Sequence, residues 1–500
     1  MPTPALSLPQ QMLRRQPVKG APVAHGASNS LRRGLGAFQL TMFGVGSTVG
    51  TGIFVILSVS VPQAGPAVVI SFVIAGIAAG LTAICYAELA SAVPVSGSAY
   101  SYSYAILGEF VAVGVAACLL LEYGVSTAAV AVGWSQYLNK LFSNIFGFQL
   151  PQVVSVAPWE SNPGVVNLPA IVLVAMCAVL LIRGVSESAK ANAVMVVIKL
   201  GVLLMFAAIA FTAFRAARFA GFAPFGVSGI SLAAGTIFFT YIGLDAVSTA
   251  GEEVKDPQHT MPRAIIAAML IVTGFYVLVA VAAMGSQPWQ EFKGQDAGLA
   301  AILDHITGHV AGSTILAAGA VISIFSVTLV SLYGQTRILY SVGRDGLLPA
   351  TFAKVNPRTM TPISNTATVA VVVAILAGLV PLQHLAEITS IGTLTAFIVV
   401  SVGVIILRVR EPDLPRGFKV PGYPVTPILS VAACAYILFS LHWYTWIGFT
   451  CWVTVALIFY LVWGRRHSAL NNGGNGGTAT AMPIAEALEV VEPPHVPGAG

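Results

Sequence analysis

Long apolar stretches, each near the length of a membrane-crossing helix, recur along the whole chain with short polar segments between them. At roughly 20 apolar residues per crossing, such spans begin near Gly36, Pro66, Glu109, Val166, Ala191, Ser231, Arg263, Gly312, Thr366, Ala386, Thr426 and Thr445. None shows the roughly ten-residue alternation of a membrane barrel. The pattern predicts an all-α integral membrane protein of about twelve transmembrane helices. Two spans are interrupted by polar and flexible residues. In the first, Gly44, Gly46, Gly50 and Gly52 surround Ser47, Thr48 and Thr51. In the sixth, Thr240-Tyr241, Gly243 and Asp245 break the run that begins at Gly235. Backbone groups freed at membrane depth are costly unless protein, water or a ligand satisfies them, so both interruptions point to a cavity.

Composition agrees and excludes an ordinary soluble enzyme. Of 500 residues, 56% are hydrophobic and 9% charged, with a mean hydropathy of +0.85, whereas about a quarter of a soluble domain is charged. The net charge of +5 is explained by position and needs no nucleic-acid partner. With the N-terminus inside, nineteen Lys and Arg fall in the tails and even-numbered loops, from Arg14 and Arg15 to Arg465 and Arg466. Lys140, Arg215, Arg218 and Lys293 fall on the other side, and Lys199 lies within a span. That split places both termini in the cytoplasm of a multi-pass plasma-membrane protein. Residues 1–33 lack the apolar core of a signal peptide and read as a disordered tail. Residues 34–465 form the twelve-helix domain, and 466–500 a second disordered tail. Cys85, Cys118, Cys177, Cys434 and Cys451 all lie in apolar spans, where they read as small core residues without a disulfide framework.

Isolated polar residues inside the spans carry the candidate chemistry. If Glu109 and Trp134 mark the two interfaces, Glu122 stands roughly 18–20 Å from each, where a carboxyl is a functional candidate by default. Lys199, nine residues beyond Lys190, is too deep to snorkel out fully; inside the bundle its ammonium needs carbonyls or a carboxylate. Asp245 suits a cap on a helix restarting behind it. Glu252 and Glu253 read as gate or loop ion pairs, and Tyr100, Tyr102 and Tyr104 as an interfacial aromatic belt. His305 and His309 have i, i+4 spacing without a third ligand, so a surface helix is favoured over a metal site.

Two breaks five spans apart point to a transporter site at an inverted-repeat interface, with repeats at about 34–214 and 231–410 and two appended helices at about 425–465. Where the first helix restarts at Gly50-Thr51-Gly52, its free N–H groups and positive dipole end favour a carboxylate. Carbonyls near Thr48–Val49 and Phe239–Ile242 would accept from an ammonium. Such a site matches a zwitterionic amino acid.

Leu35-Gly36-Ala37-Phe38, Gly50-Thr51-Gly52-Ile53-Phe54, Tyr86-Ala87-Glu88-Leu89, Ser96-Gly97-Ser98-Ala99-Tyr100, Phe238–Glu253 and Gly343-Arg344-Asp345-Gly346 together resemble the amino acid-polyamine-organocation superfamily, in particular its bacterial cationic-amino-acid-transporter branch. The resemblance implies a five-plus-five inverted-repeat fold with broken helices 1 and 6. It implies amino acid uptake with the substrate at Thr48, Val49, Gly50, Thr51, Gly52, Phe239, Thr240 and Ile242. Gly46 and Gly243 would shape the breaks with Asp245. Lys199 matches the fifth-span lysine that, in proton-coupled relatives, stands where sodium-coupled members bind an ion, and Glu122 is a second coupling candidate. Ser47 and Thr48 depart from the apolar residues usual between these glycines, which implies a more polar pocket. The expected activity is therefore secondary active import of amino acids by alternating access. It uses no catalysis, metal or cofactor and is driven by the proton gradient. An exchanger with a disulfide-linked subunit is disfavoured because Lys140–Val165 lacks cysteine; a non-transporting sensor is separated by uptake against a gradient.

Overall fold

The computed structural model describes residues 11–15, 36–92, 98–160, 162–184, 189–249, 254–356, 359 and 361–472. The rest of both tails, the 93–97 loop, Glu252, Glu253 and the Thr51 side chain lie outside the described residues. The first span is α1 (Ala37–Thr48) and α2 (Thr51–Ala64), followed by α3 (Val68–Ala92) and the short α4 (Ser98–Ile106). Spans three to five are α5 (Glu109–Phe146), α6 (Leu168–Ile182) and α7 (Ala189–Thr212). The sixth span is α8 (Gly226–Phe238) and α9 (Ala246–Thr249), and the seventh is α10 (Pro257–Ser286). An outlying helix α11 (Gly298–Thr307) precedes α12 (Val310–Arg344), α13 (Ile363–Leu379), α14 (Leu382–Arg410), α15 (Val425–Ser440) and α16 (Trp443–Phe459). Each predicted span thus has its helix, and the two breaks occupy the first member of each five-span half.

Local chemistry sets several helix ends. Asn167 accepts from the Ala170 N–H at 3.2 Å ahead of Pro169, so α6 starts there. α5 stops at Gly147, whose φ of 63° provides the left-handed cap. Burial separates central from peripheral helices: the most apolar stretch of α5 is 94% buried and that of α16 only 11%. α5 is therefore the post around which the bundle packs, while α16 shows apolar residues such as Ile447, Val455 and Ile458 to the lipid. Cys451 is exposed on α16, so it is not a core residue, whereas the other four cysteines are buried and free.

The basic end of the bundle is closed by buried acids. Glu88 on α3 is fully buried and accepts from Arg408 Nε (2.8 Å), Arg408 Nη2 (2.6 Å) and the Val420 N–H (2.7 Å). Such pairing makes a buried carboxylate tolerable. Glu109 takes the Arg14 guanidinium at 3.4 Å, Ser468 Oγ at 2.7 Å and Tyr104 OH at 3.2 Å. Residues near Arg14 and Ser468, expected to lie in disordered tails, are thus docked on the domain. The tyrosines of α4 form no interfacial belt. All three are buried, with Tyr100 OH donating to Asp345 Oδ2 at 2.6 Å, because α4 is tucked under the bundle, where Tyr100 and Tyr104 each find an acid. Trp134 does not mark an interface either: it is buried, donates to the Val321 carbonyl at 3.0 Å, and α5 continues to Phe146.

Candidate functional site

Only Val49 and Gly50 separate α1 from α2, and the Gly50 N–H folds back to Thr48 O at 2.8 Å. The sixth-span break is longer: α8 tightens into a 3-10 turn at Phe239–Tyr241, and residues 242–245 are irregular before α9. Gly243 has a φ of 94°, and a Cβ there would stand 2.6 Å from Ser47 O. The breaks therefore touch at a position that only glycine suits. The single Ser47 hydroxyl proton has Gly243 O within reach at 2.8 Å, with Phe43 O and Gly44 O of its own helix as alternative acceptors, both 3.0 Å. Tyr276 of α10 bridges them again, its hydroxyl lying 2.9 Å from Thr48 O and 2.8 Å from Thr240 O.

At this junction is a cavity with about 30 Å³ of free space, room for about one or two waters and too small for an amino acid. Its walls are Ser47, Thr48, Gly50 and Gly52 from the first span and Phe239, Thr240, Ile242, Gly243 and Ala246 from the sixth. α5 adds Tyr123, Ser126 and Val130, and α12 adds Val327, Val330 and Ser331. No lining residue is charged. The first turn of α2 presents N–H groups with no intrahelical acceptor, and its dipole makes that wall positive. Substrate entry at such a closed junction requires the walls to part.

A profile of the family described as amino acid permease matches residues 35–473. This chain belongs to the amino acid permease family. It is 41% identical over 461 residues to the methylthioribose transporter of Bacillus subtilis (strain 168), covering 92% of this chain and 99% of that protein. The branched-chain amino acid permease BcaP of the same organism is 41% identical over 463 residues, again with 92% and 99% covered. Vacuolar cationic amino acid transporter 4 of Arabidopsis thaliana is 34% identical over 401 residues, 78% of this chain and 66% of the plant protein.

In this permease Lys199 is fully buried on α7 and donates to Gly46 O at 2.8 Å, one turn before the break. The fifth-span lysine is thus bonded to the backbone of the first helix. Asp245 stands where an N-cap of α9 belongs, and its Oδ2 accepts from Ser98 Oγ and Tyr123 OH, each at 3.0 Å. Tyr123 therefore has its ring at the cavity wall and its hydroxyl on Asp245, which screens that carboxylate from the cavity. Glu122, one position earlier on α5, is turned away from the cavity toward α14. It is fully buried, the Thr393 hydroxyl is a polar neighbour, and neither carboxyl oxygen makes a well-formed hydrogen bond. The two coupling candidates are therefore not joined directly. Val49 is buried but does not line the cavity.

Sequence reasoning missed Tyr123, Ser126, Val130, Ala246, Tyr276, Val327, Val330 and Ser331. A signal existed for some: Tyr123, Ser126 and Val130 repeat at i, i+3 and i+7, one helix face. Thr48 Oγ1 donates to Gly44 O at 2.8 Å and Ser47 spends its proton on carbonyls, so neither hydroxyl offers a donor to the cavity. His305 is exposed at the end of α11 and His309 precedes α12; among the described residues no group of acids, histidines and cysteines is arranged to hold a metal. Replacing Ser47 by Ala removes the direct link between the breaks. Substrate affinity is expected to fall about fivefold, the worth of one net hydrogen bond, in a ligand-dependent thermal-shift titration. An unchanged affinity would mean that this bond does not hold the site together.

Proposed function

We propose that this permease imports neutral amino acids across the plasma membrane by proton-coupled alternating access, with both termini in the cytoplasm. The observation that carries the reading is the junction itself, where a helix N-terminus faces carbonyls of a second broken helix across a cavity without charged side chains. The substrate carboxylate sits on the first turn of α2 at Gly50–Gly52. Its ammonium takes the carbonyl side, at Thr48 and Thr240, in competition with Tyr276. Val130, Val327, Val330, Phe239 and Ile242 leave an apolar envelope for the side chain. A cationic side chain would meet no carboxylate in the cavity wall, because Asp245 is not a lining residue and lies behind the Tyr123 ring. The likeness to a branched-chain amino acid permease fits this envelope. Loading the site rocks spans 1, 2, 6 and 7 against the rest. Lys199, bonded to Gly46, passes the protonation change to the first helix, and Glu122 is a second buried proton site. The nineteen-to-four split of basic residues supports the orientation.

Liposomes containing the purified protein test this. An inward proton gradient should drive leucine, isoleucine or valine uptake above equilibrium, with lysine and arginine at least ~10-fold slower, a discrimination of about 1.4 kcal/mol. Faster uptake of the cationic amino acids would overturn the neutral assignment. Uptake of methylthioribose, with none of any amino acid, would overturn the amino acid reading.

A further inference from the structure

Away from the junction, α7, α10 and α11 end together around a second cavity of about 280 Å³, lined by Thr212, Phe214, Arg215, Arg218, Ser286 and His305. It lies at the end of the bundle opposite Arg408 and the other basic loops, where positive charge is scarce. Of the four basic residues assigned to that side, Lys140 is paired with Asp304, while Arg215 and Arg218 both line this cavity. No acid lines it, and Glu291 is the acid whose charge reaches Arg218.

Helix ends explain one arginine but not both. Arg218 Nη1 donates to Ala213 O at 3.0 Å and Gly285 O at 2.6 Å, capping α7 and α10. Its Nη2 and Nε donors are left for another acceptor. Arg215 is exposed, and it is its backbone N–H that bonds Gly285 O, at 2.9 Å. The hydroxyls of Thr212 and Ser286 donate to Ile209 O (2.7 Å) and Ala283 O (2.8 Å), so their oxygens face further partners as acceptors. Beside the cavity runs a ladder of rings, Phe211, Phe214, Phe219 and Phe222, with successive centroids 5.7, 5.9 and 6.5 Å apart. Phe211, Phe214 and Phe222 are 41%, 38% and 40% exposed, as residues facing acyl chains are.

We infer that this cavity binds the headgroup of an anionic phospholipid of the phosphatidylglycerol class. The Arg215 and Arg218 guanidiniums take the phosphodiester, the glycerol hydroxyls donate to Thr212 and Ser286, and the acyl chains lie along the phenylalanine ladder. Cationic side chains between helix ends form such headgroup sites.

The test uses the full chain in phosphatidylcholine nanodiscs, with and without phosphatidylglycerol, read by thermal unfolding and by native mass spectrometry of retained lipid. Wild type should be stabilised by phosphatidylglycerol and retain it. Arg215→Gln, whose side chain supports no helix end, should retain about fivefold less, the loss of one basic side chain at an anionic headgroup. Arg215→Lys should recover part of the binding. Lys293→Gln, on the same side but outside the cavity, should match wild type. Equal retention by Arg215→Gln and wild type would overturn the proposal. So would an equal shift from inorganic phosphate in phosphatidylcholine discs, which would make this a free-anion site.

Discussion

Lys199→Ala is expected to lower gradient-driven uptake at least ~10-fold, about 1.4 kcal/mol in coupling, while leaving counterflow exchange of substrate between equilibrated compartments. Removing the side chain deletes the bond to Gly46 O and leaves a carbonyl beside the break without that donor at membrane depth, a loss of about 1–3 kcal/mol. If Lys199 serves packing alone, exchange and gradient-driven uptake should fall together; if it couples, only the gradient dependence should disappear. Lys199→Arg, which keeps the charge but cannot release its proton, separates the cases further. It should bind substrate and fail to respond to the gradient. Uptake by Lys199→Ala that still rises with an imposed proton gradient as in wild type would remove the coupling role.

Gly52→Ala should weaken substrate binding by roughly 5–150-fold while the protein still folds. A Cβ at Gly52 would lie 2.8 Å from Thr240 Cα, a backbone atom of the other break, so one helix must move. Overpacking of this kind costs about 1–3 kcal/mol, which here falls on the two surfaces that hold the substrate and corresponds to roughly 5–150-fold in affinity. Gly201→Ala on α7 is the control, because a Cβ there meets nothing within 4 Å. Size-exclusion profiles and ligand-dependent thermal shifts of the two variants check this. A Gly52→Ala protein that binds as wild type would show that the first and sixth helices do not close on the substrate at this point.

Much of the architecture was readable along the chain because lipid gives backbone groups no partner. Crossings must then be continuous helices, and any interruption stands out. The interruptions within Gly44–Phe54 and around Thr240–Asp245 were found this way, and Lys199 stood out as an isolated polar residue inside a span. Side-chain direction was harder to read. In a soluble bundle the polar face of a helix marks the outside, but here Val455 on α16 faces lipid and Val130 on α5 lines the cavity, with no difference in polarity to separate them. Which residues belong to a span was therefore legible, and rotation about the helix axis was not. That is why Glu122 was placed inside the third span while its turn away from the cavity was not foreseen, and why Trp134 was misread as an interface marker.

The tails followed the same logic. Composition correctly marks them as polar, yet Arg14 and Ser468 meet Glu109, an acid at the start of α5. Pairing partners about 95 and 359 residues apart leave no local pattern to read. Nor does sequence spacing bring Tyr276 to Thr48 and Thr240, or set Tyr123 between the cavity and Asp245.

What the sequence by itself determined is an all-helical membrane protein of about twelve spans, broken in the first and sixth, with one lysine in the fifth. These follow from hydrophobicity, helix-breaking residues and charge, properties that belong to single segments. Only the tertiary structure decided which side chains meet at the breaks, that Ser47 and Thr48 spend their hydroxyls on carbonyls, and that the cavity is uncharged. Those outcomes depend on helix rotation and on contacts between distant segments, and hydrogen bonds formed there set the polarity a substrate encounters.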